Sequence, residues 1–218
     1  MTHFGAESMS AGNAGTSGLS SVVDRERTGL TTLVRSYTAE LRGRSRRTLG
    51  TGIVWRHDGL IVTTAHATRD SRLLVTLYDK RVTEGRVVAR DRLSDLTLVM
   101  VPARGLLIAP TGDPWALRTG STVLAVEHAR DTACRLSLGL VHTVTRDRDN
   151  DPVWLASDMR LSLRDMGTPL VDTSGRVLGV NAATVNGLTT AIPMNVVVEF
   201  VREAEDQGII PKRESLAA

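Results

Sequence analysis

The sequence predicts an all-β protein: about a dozen short strands in two sets of about six, as a double β-barrel or a pair of sandwiches, with one helix near the C-terminal end. Three observations lead there. From about residue 30 onward, β-branched runs of strand length alternate with turn residues. Aromatic residues make up only 3% of the chain against 41% hydrophobic residues overall, so the core falls to Val, Leu, Ile, Ala and Thr. The runs also divide into two sets near Pro110-Thr-Gly-Asp-Pro114.

Taken in order, residues 1–20 are rich in Ser, Gly, Ala and Thr without periodicity and predict a disordered tail. Residues 21–110 then form a first unit, with the runs LTTLVRSYTAEL, TGIVWR, LIVTT, RLLVTLY, GRVVAR and LTLVMVP read as strands. Residues 111–208 form a second, from STVLAVEH, CRLSLGLVHTV, PVWLAS, PLVD, RVLGVNAATV and LTTAI. Turns are expected at His57-Asp58-Gly59, Asp79-Lys80 and Thr173-Ser174-Gly175, and a tight hairpin at Asn186-Gly187. The helix comes last. Asn195 is the expected cap, Val196, Val197, Phe200 and Val201 supply an apolar stripe, and Gly208 followed by Pro211 stops it. Residues 209–218 read as a tail, too short for a further domain.

Composition narrows the chemistry. The single Cys134 excludes an internal disulfide and any cysteine-based zinc site, and reads as a buried small hydrophobe. His57, His128 and His142 show no ligand spacing, so neither metal nor cofactor is expected. No apolar run has membrane-spanning length, and residues 1–15 have neither a basic nor an apolar signal region, which predicts a cytoplasmic protein. The net charge is +3, and lysine occurs only at Lys80 and Lys212. The one basic run, Arg42-Gly-Arg44-Ser-Arg46-Arg47, reads as a solvated loop; a role with nucleic acid is the alternative, with no stacking aromatics beside it.

Four segments carry a resemblance. GTGIVWRHDGLIVTTAHAT (50–68) is similar to the opening of HtrA/Deg-type, trypsin-like serine proteases, where a strand ends in T-x-x-H-V. Leu93-Ser94-Asp95-Leu96-Thr97-Leu98-Val99 resembles that family's D-L-A-L strand, and 187–193, GLTTAIP, resembles the strand before its terminal helix. Residues 164–170, RDMGTPL, resemble its nucleophile segment, G-[DN]-S-G-G-P-L. The resemblance implies two six-stranded antiparallel β-barrels of the trypsin type with a C-terminal helix and the active cleft between them. It places His66 at the general base, Asp95 at the orienting carboxylate and Met166 at the nucleophile. Arg164, Asp165 and Met166 fall on the oxyanion-hole positions.

The departures point away from catalysis. Met166 carries only a weakly accepting thioether, so His66 has no proton to take from it. Arg164 and Thr168 stand where the family has glycine, adding bulk to the same turn. Ser162, Thr168 and Cys134 are poor substitute nucleophiles, since a tight turn fixes the first two away from His66 and the third lies in another strand. The resemblance therefore implies an inactive homologue that keeps an extended peptide or protein segment as its partner. Main-chain pairing is expected along Asn181, Ala182, Ala183 and Thr184, with a side-chain pocket bounded by Arg160, Leu161, Ser162, Leu163 and the strand 188–192. An active endopeptidase with an unrecognised nucleophile is the alternative, as is a structural or nucleic-acid-associated protein. Family members often carry a PDZ domain after the protease domain, for which this sequence is expected to have no room. Its oligomeric state is left open.

Overall fold

A computed structural model describes residues 29–43, 48–128 and 134–212. Twelve strands close into two antiparallel barrels among these residues. The first barrel comprises β1 (Thr38–Arg42), β2 (Thr48–Val54), β3 (Leu60–Thr64), β4 (Arg72–Thr76), β5 (Val82–Asp91) and β6 (Leu96–Met100), in the order β1-β2-β3-β6-β5-β4. The second holds β7 (Thr122–His128), β8 (Cys134–Arg146), β9 (Pro152–Ser157), β10 (Pro169–Val171), β11 (Val177–Val185) and β12 (Leu188–Pro193), in the order β10-β11-β12-β9-β8-β7. Closure leaves neither sheet a long free edge, the usual solution for a sheet of short strands.

The predicted turns form. Gly59 (φ 105°) and Gly175 (φ 83°) adopt the left-handed backbone that a side chain disfavours, and Lys80 takes it at φ 69°. Asn186 and Gly187 both have positive φ, as a two-residue hairpin turn between β11 and β12 requires.

Each barrel fills its own interior, and a third apolar cluster joins them. Leu41, Ile61, Leu73, Val75 and Val99 pack inside the first, and Val123, Val141, Leu155, Leu170 and Ala191 inside the second. Between them, Ile53, Leu60, Val62 and Leu98 share a buried cluster with Val126, Val171, Val180 and Ile192. Each such side chain taken out of water contributes about 1.5–3 kcal/mol, so this shared cluster joins the two barrels.

Two differences from expectation concern the helices. Residues 29–36, read as the start of a strand, are helical (α1), and β1 begins only at Thr38. Val34 and Tyr37 enter the shared core, and the Tyr37 hydroxyl donates to the Gly175 carbonyl at 2.6 Å. Burial pushes that phenol above its ordinary pKa range. This packing outweighs the β-branched composition of the segment. The C-terminal helix α2 (Met194–Asp206) starts before the expected cap: Pro193 occupies that position, and Asn195 instead donates its side-chain amide to the Pro152 carbonyl at 2.9 Å. The stop is as predicted, with Gly208 at φ 69° and Ile209 N–H returning to the Ala204 carbonyl at 2.9 Å.

Residues 209–212 are joined to the fold rather than loose. Ile210 is buried, and the Pro211 carbonyl accepts from Arg56 at 2.7 Å. The buried Arg56 guanidinium also pairs with Asp58 and, at 3.3 Å, with Glu205, clamping the end of α2 to the β2–β3 turn. Hydrogen bonding to Arg56 holds the Asp58 carboxyl below its ordinary pKa.

Candidate active site

His66 stands on a single turn after β3. All five residues of β3 are buried, and the chain then bends through the Ala67 N–H bond to the Thr64 carbonyl and the Thr68 N–H bond to the Ala65 carbonyl, both 3.2 Å. Ala67 and Thr68 face inward, and His66 projects to solvent. The Thr68 hydroxyl ties the turn to β6 through Thr97 Oγ1 at 3.2 Å. Asp95 lies directly before β6 in a left-handed conformation (φ 58°), and its carbonyl accepts the Ala65 N–H at 2.8 Å.

The structure thus brings His66 and Asp95 together, through the backbone. The half-buried Asp95 carboxylate faces the main-chain N–H groups of His66 and Ala65 and feels the imidazole electrostatically. Among the described residues no hydrogen bond joins the imidazole to the carboxylate. Burial raises the Asp95 pKa, and the N–H groups and His66 oppose the rise without cancelling it. A raised carboxyl pKa favours folding while the group is protonated, and that benefit is lost as pH rises through the folded value. Asp95→Asn is therefore expected to raise the melting temperature modestly at pH 7–8. The gain should disappear below the ordinary carboxylate range, about pH 4. Parallel melts of wild type and variant across that window measure it.

The loop 160–168 is built around a short 3-10 turn, Leu163–Asp165. Asp165 is buried, and both the N–H (3.0 Å) and the hydroxyl of Ser162 donate to its carboxylate, while its own N–H closes on the Ser162 carbonyl at 2.9 Å. Of the oxyanion-hole positions, Arg164 is exposed, Asp165 is held by Ser162 and Met166 is fully buried. The Met166 side chain belongs to the second barrel's apolar interior, in one cluster with Met159, Leu161, Leu170 and Ala191. The predicted side-chain pocket, bounded by residues 160–163 and 188–192, is thus lined on its inner side by packed apolar groups. Leu161 is part of that packing, while Arg160, Ser162 and Leu163 are exposed.

Backbone contacts fix this loop against the first barrel. The Met166 carbonyl accepts the Thr51 N–H at 2.9 Å, and Gly50 packs so closely that a Cβ there would lie 2.6 Å from both the Met166 carbonyl oxygen and Ala67 Cβ. The His66 turn and the Met166 loop therefore meet across Gly50. Gly167 N–H donates to the Asn181 carbonyl at 2.7 Å, and the Asn181 amide reaches Thr168 Oγ1 at 3.2 Å. Thr168 is buried and its hydroxyl accepts from the Asn181 amide, while the Ser162 hydroxyl is engaged with Asp165. Beyond Asn181, β11 pairs with β12 on one side, and among the described residues no strand covers the other edge at Ala182, Ala183 and Thr184. The Thr184 hydroxyl reaches the Leu161 carbonyl at 3.5 Å.

The roles of Gly50 and Thr51 depend on inter-barrel packing and that of Met159 on packing inside the second barrel, neither of which a local pattern reveals. Ser162-x-x-Asp165, by contrast, is a capping-box pattern visible in the sequence. No group of three or more His, Cys, Asp or Glu side chains that could hold a metal occurs among the described residues. His57 and His142 are exposed, and the side chains of His128 and Cys134 lie outside the described residues. So do Arg44, Arg46 and Arg47; Arg42 pairs with Glu40 at 2.8 Å. No described helix is long and apolar enough to cross a membrane.

Residues 50–180 match the family model of the trypsin-like peptidase domain. The chain is 26% identical over 180 residues to a DegP-like periplasmic serine endoprotease of Pseudomonas putida, covering 78% of this chain and 38% of that protein. It is 29% identical over 167 residues to the serine protease HTRA1 of Xenopus laevis, covering 72% and 36%. The chain thus spans less than half the length of these curated relatives. Among solved structures, the HtrA-type protease AlgW with decapeptide superposes with TM-score 0.72 at 19% identity, covering 83% of this chain and 68% of that one. Deg5 does so with TM-score 0.71 at 24% identity, covering 81% and 92%. The cytoplasmic expectation is overturned, since the relatives from Pseudomonas putida and Halomonas elongata are named periplasmic. That expectation rests on the absence of a spanning run and of a signal region in residues 1–15, and an absence does not assign a compartment.

Proposed function

Because the chain belongs to the trypsin-like peptidase domain family, we propose that it is a catalytically inactive homologue of the HtrA/Deg type that binds extended peptide or protein segments in a regulatory role. One observation carries this reading: Met166, which the resemblance of RDMGTPL to the family's nucleophile segment puts at the nucleophile, is fully buried in an apolar cluster and has no ionisable group. In a serine hydrolase, removing the nucleophile alone costs on the order of a million-fold in turnover. His66 and Asp95 then form the remnant of a base and its orienting carboxylate. The Ser162–Asp165 contact and exposed Arg164 further remodel the segment that would hold the oxyanion.

Peptide binding draws on different atoms. The uncovered edge of β11 at Ala182–Thr184 offers main-chain donors and acceptors to a strand laid beside it, and such augmentation needs no serine. The AlgW structure is one with a decapeptide, which supports peptide binding in general, though not this edge in particular. With apolar groups lining the pocket, recognition would rest on the backbone more than on one deep side chain.

Purified protein is expected not to hydrolyse casein or activated peptide esters above the uncatalysed rate, and His66→Ala should leave that rate unchanged. Turnover measured with both proteins decides it. A rate that falls in the variant would establish a working base and favour the active endopeptidase.

A further inference from the structure

A groove of about 740 Å³ runs along α2, between it, the inter-barrel segment 111–115 and the β8–β9 turn. None of its lining residues belongs to the His66 turn, the loop 160–168 or β11. Five carboxylates line it: Asp91, Asp147, Asp151, Glu199 and Glu203. No lysine, arginine or histidine does, although the whole chain carries a net +3. Its base is apolar, formed by Trp115, Met194, Val198 and Phe200, with Trp115 and Val198 45% and 46% exposed.

The acidic groups are placed, not scattered. Asp151 accepts the Trp115 indole N–H at 2.9 Å and so holds the ring at the groove wall. Asp91 and Asp147 are fixed by the N–H groups of their own turns. Three guanidiniums border the site and are already engaged: Arg202 with Glu199 at 2.6 Å, and Arg118 and Arg146 with the Trp115 carbonyl at 2.5 and 3.2 Å. Asn195, in the groove wall, has its buried Oδ1 without a hydrogen-bond partner among the described residues.

We propose that this groove is a docking site for a cationic amphipathic segment of a partner protein, one in which arginine or lysine alternates with leucine-like side chains. Such a segment places its apolar residues on Trp115 and Val198 and its cations against the carboxylates. An exposed tryptophan beside a line of carboxylates, with the bordering guanidiniums already engaged, is the arrangement from which interface anchors are drawn. A neutral apolar segment would leave the carboxylates unmatched, and a nucleic acid or anionic lipid would be repelled by them.

The probe is a short synthetic peptide alternating arginine and leucine, titrated into the full chain at about 0.15 M salt, where exposed charges are screened beyond roughly 8 Å. Tryptophan fluorescence reports occupancy, and Trp115→Phe identifies the responding ring. Saturable binding is expected, weakened at least about tenfold by Glu199→Lys with Glu203→Lys, both on the exposed face of α2. That is about 1.4 kcal/mol, two charge reversals' worth of exposed interactions. Asp79→Lys with Glu84→Lys, on the first barrel, should leave affinity within about twofold. Equal weakening by both pairs would mean general charge attraction and would overturn the site. So would undiminished binding of a peptide with serine for leucine, or of one with glutamate for arginine. Self-association of the chain abolished by the α2 pair would assign the groove to a second copy and overturn the proposal as well. Hydrolysis enters none of these readouts, so they stand or fall apart from the inactivity of the His66 site.

Discussion

Met166→Ser is expected to cost the folded protein about 2–5 kcal/mol and to confer no hydrolysis. The side chain is fully buried, in one cluster with Met159, Leu161 and Leu170. Truncating a buried methionine loses its transfer energy and leaves a cavity that neighbours fill only in part, which together account for that range. Serine adds a hydroxyl to an apolar setting, and any hydrogen bond it lacks adds further cost. Met166→Leu conserves volume and should cost under about 1.5 kcal/mol. The serine variant keeps Arg164 in place and Asp165 bound to Ser162. Adding Thr168→Gly would also remove the hydroxyl that Asn181 contacts, so that glycine is a structural loss rather than a relief of crowding. Urea unfolding of the two Met166 variants, with ester turnover measured on the serine variant, checks both halves. A stable Met166→Ser protein that turns over ester in a His66-dependent way would show that the loop was never remodelled.

Gly167→Ala should be severely damaging for a single added methyl, at about 3 kcal/mol or more. Gly167 has φ 85°, where an alanine is strained by about 1–2 kcal/mol in any surroundings. Its added Cβ would also overlap the Thr51 carbonyl oxygen and lie 2.6 Å from Thr63 Oγ1. That pair is a buried hydrogen bond of 2.7 Å, beside the 2.9 Å bond from Thr51 N–H to the Met166 carbonyl, and no flexible side-chain end is available to move aside. Gly187→Ala is the control: φ is 80°, but nothing lies within 4 Å of the new methyl. Denaturation midpoints for both variants separate the two costs. Equal losses would mean that the contact between the loop and the first barrel contributes nothing beyond backbone strain.

Much of the fold was legible in the sequence because its strands are short, β-branched and separated by residues with distinctive turn chemistry. Asn186-Gly187 could be read directly, since only a primed turn suits both residues. The segment 29–36 could not. Its composition favours a strand, and it is helical because Val34 reaches the shared core while Leu30 and Leu33 lie against Gly175. The start of α2 was misplaced for a related reason: the Asn195 amide finds a partner in Pro152, on β9, which no local rule reveals.

At the candidate site, residue identities were legible and their packing was not. The absence of a hydroxyl at 166 follows from the sequence. That the methionine lies within the second barrel's core, with the pocket's inner side packed by Met159 and Leu161, does not. The turn that holds Asp165 was signalled by Ser162-x-x-Asp165, but a capping pattern does not say that its carboxylate will be buried. The groove on α2 has no sequence signature at all, because its five carboxylates come from three separate segments of chain, the end of β5, the β8–β9 turn and α2.

The proposed inertness of the His66 site is tested most directly by exposing the intact chain to a fluorophosphonate probe and weighing it by mass spectrometry. Such probes form a covalent bond only with a nucleophile activated by a neighbouring base. No adduct is expected, on the wild type or on His66→Ala. One adduct per chain, present on the wild type and abolished by His66→Ala, would reveal an activated hydroxyl and contradict the assignment of an inactive homologue.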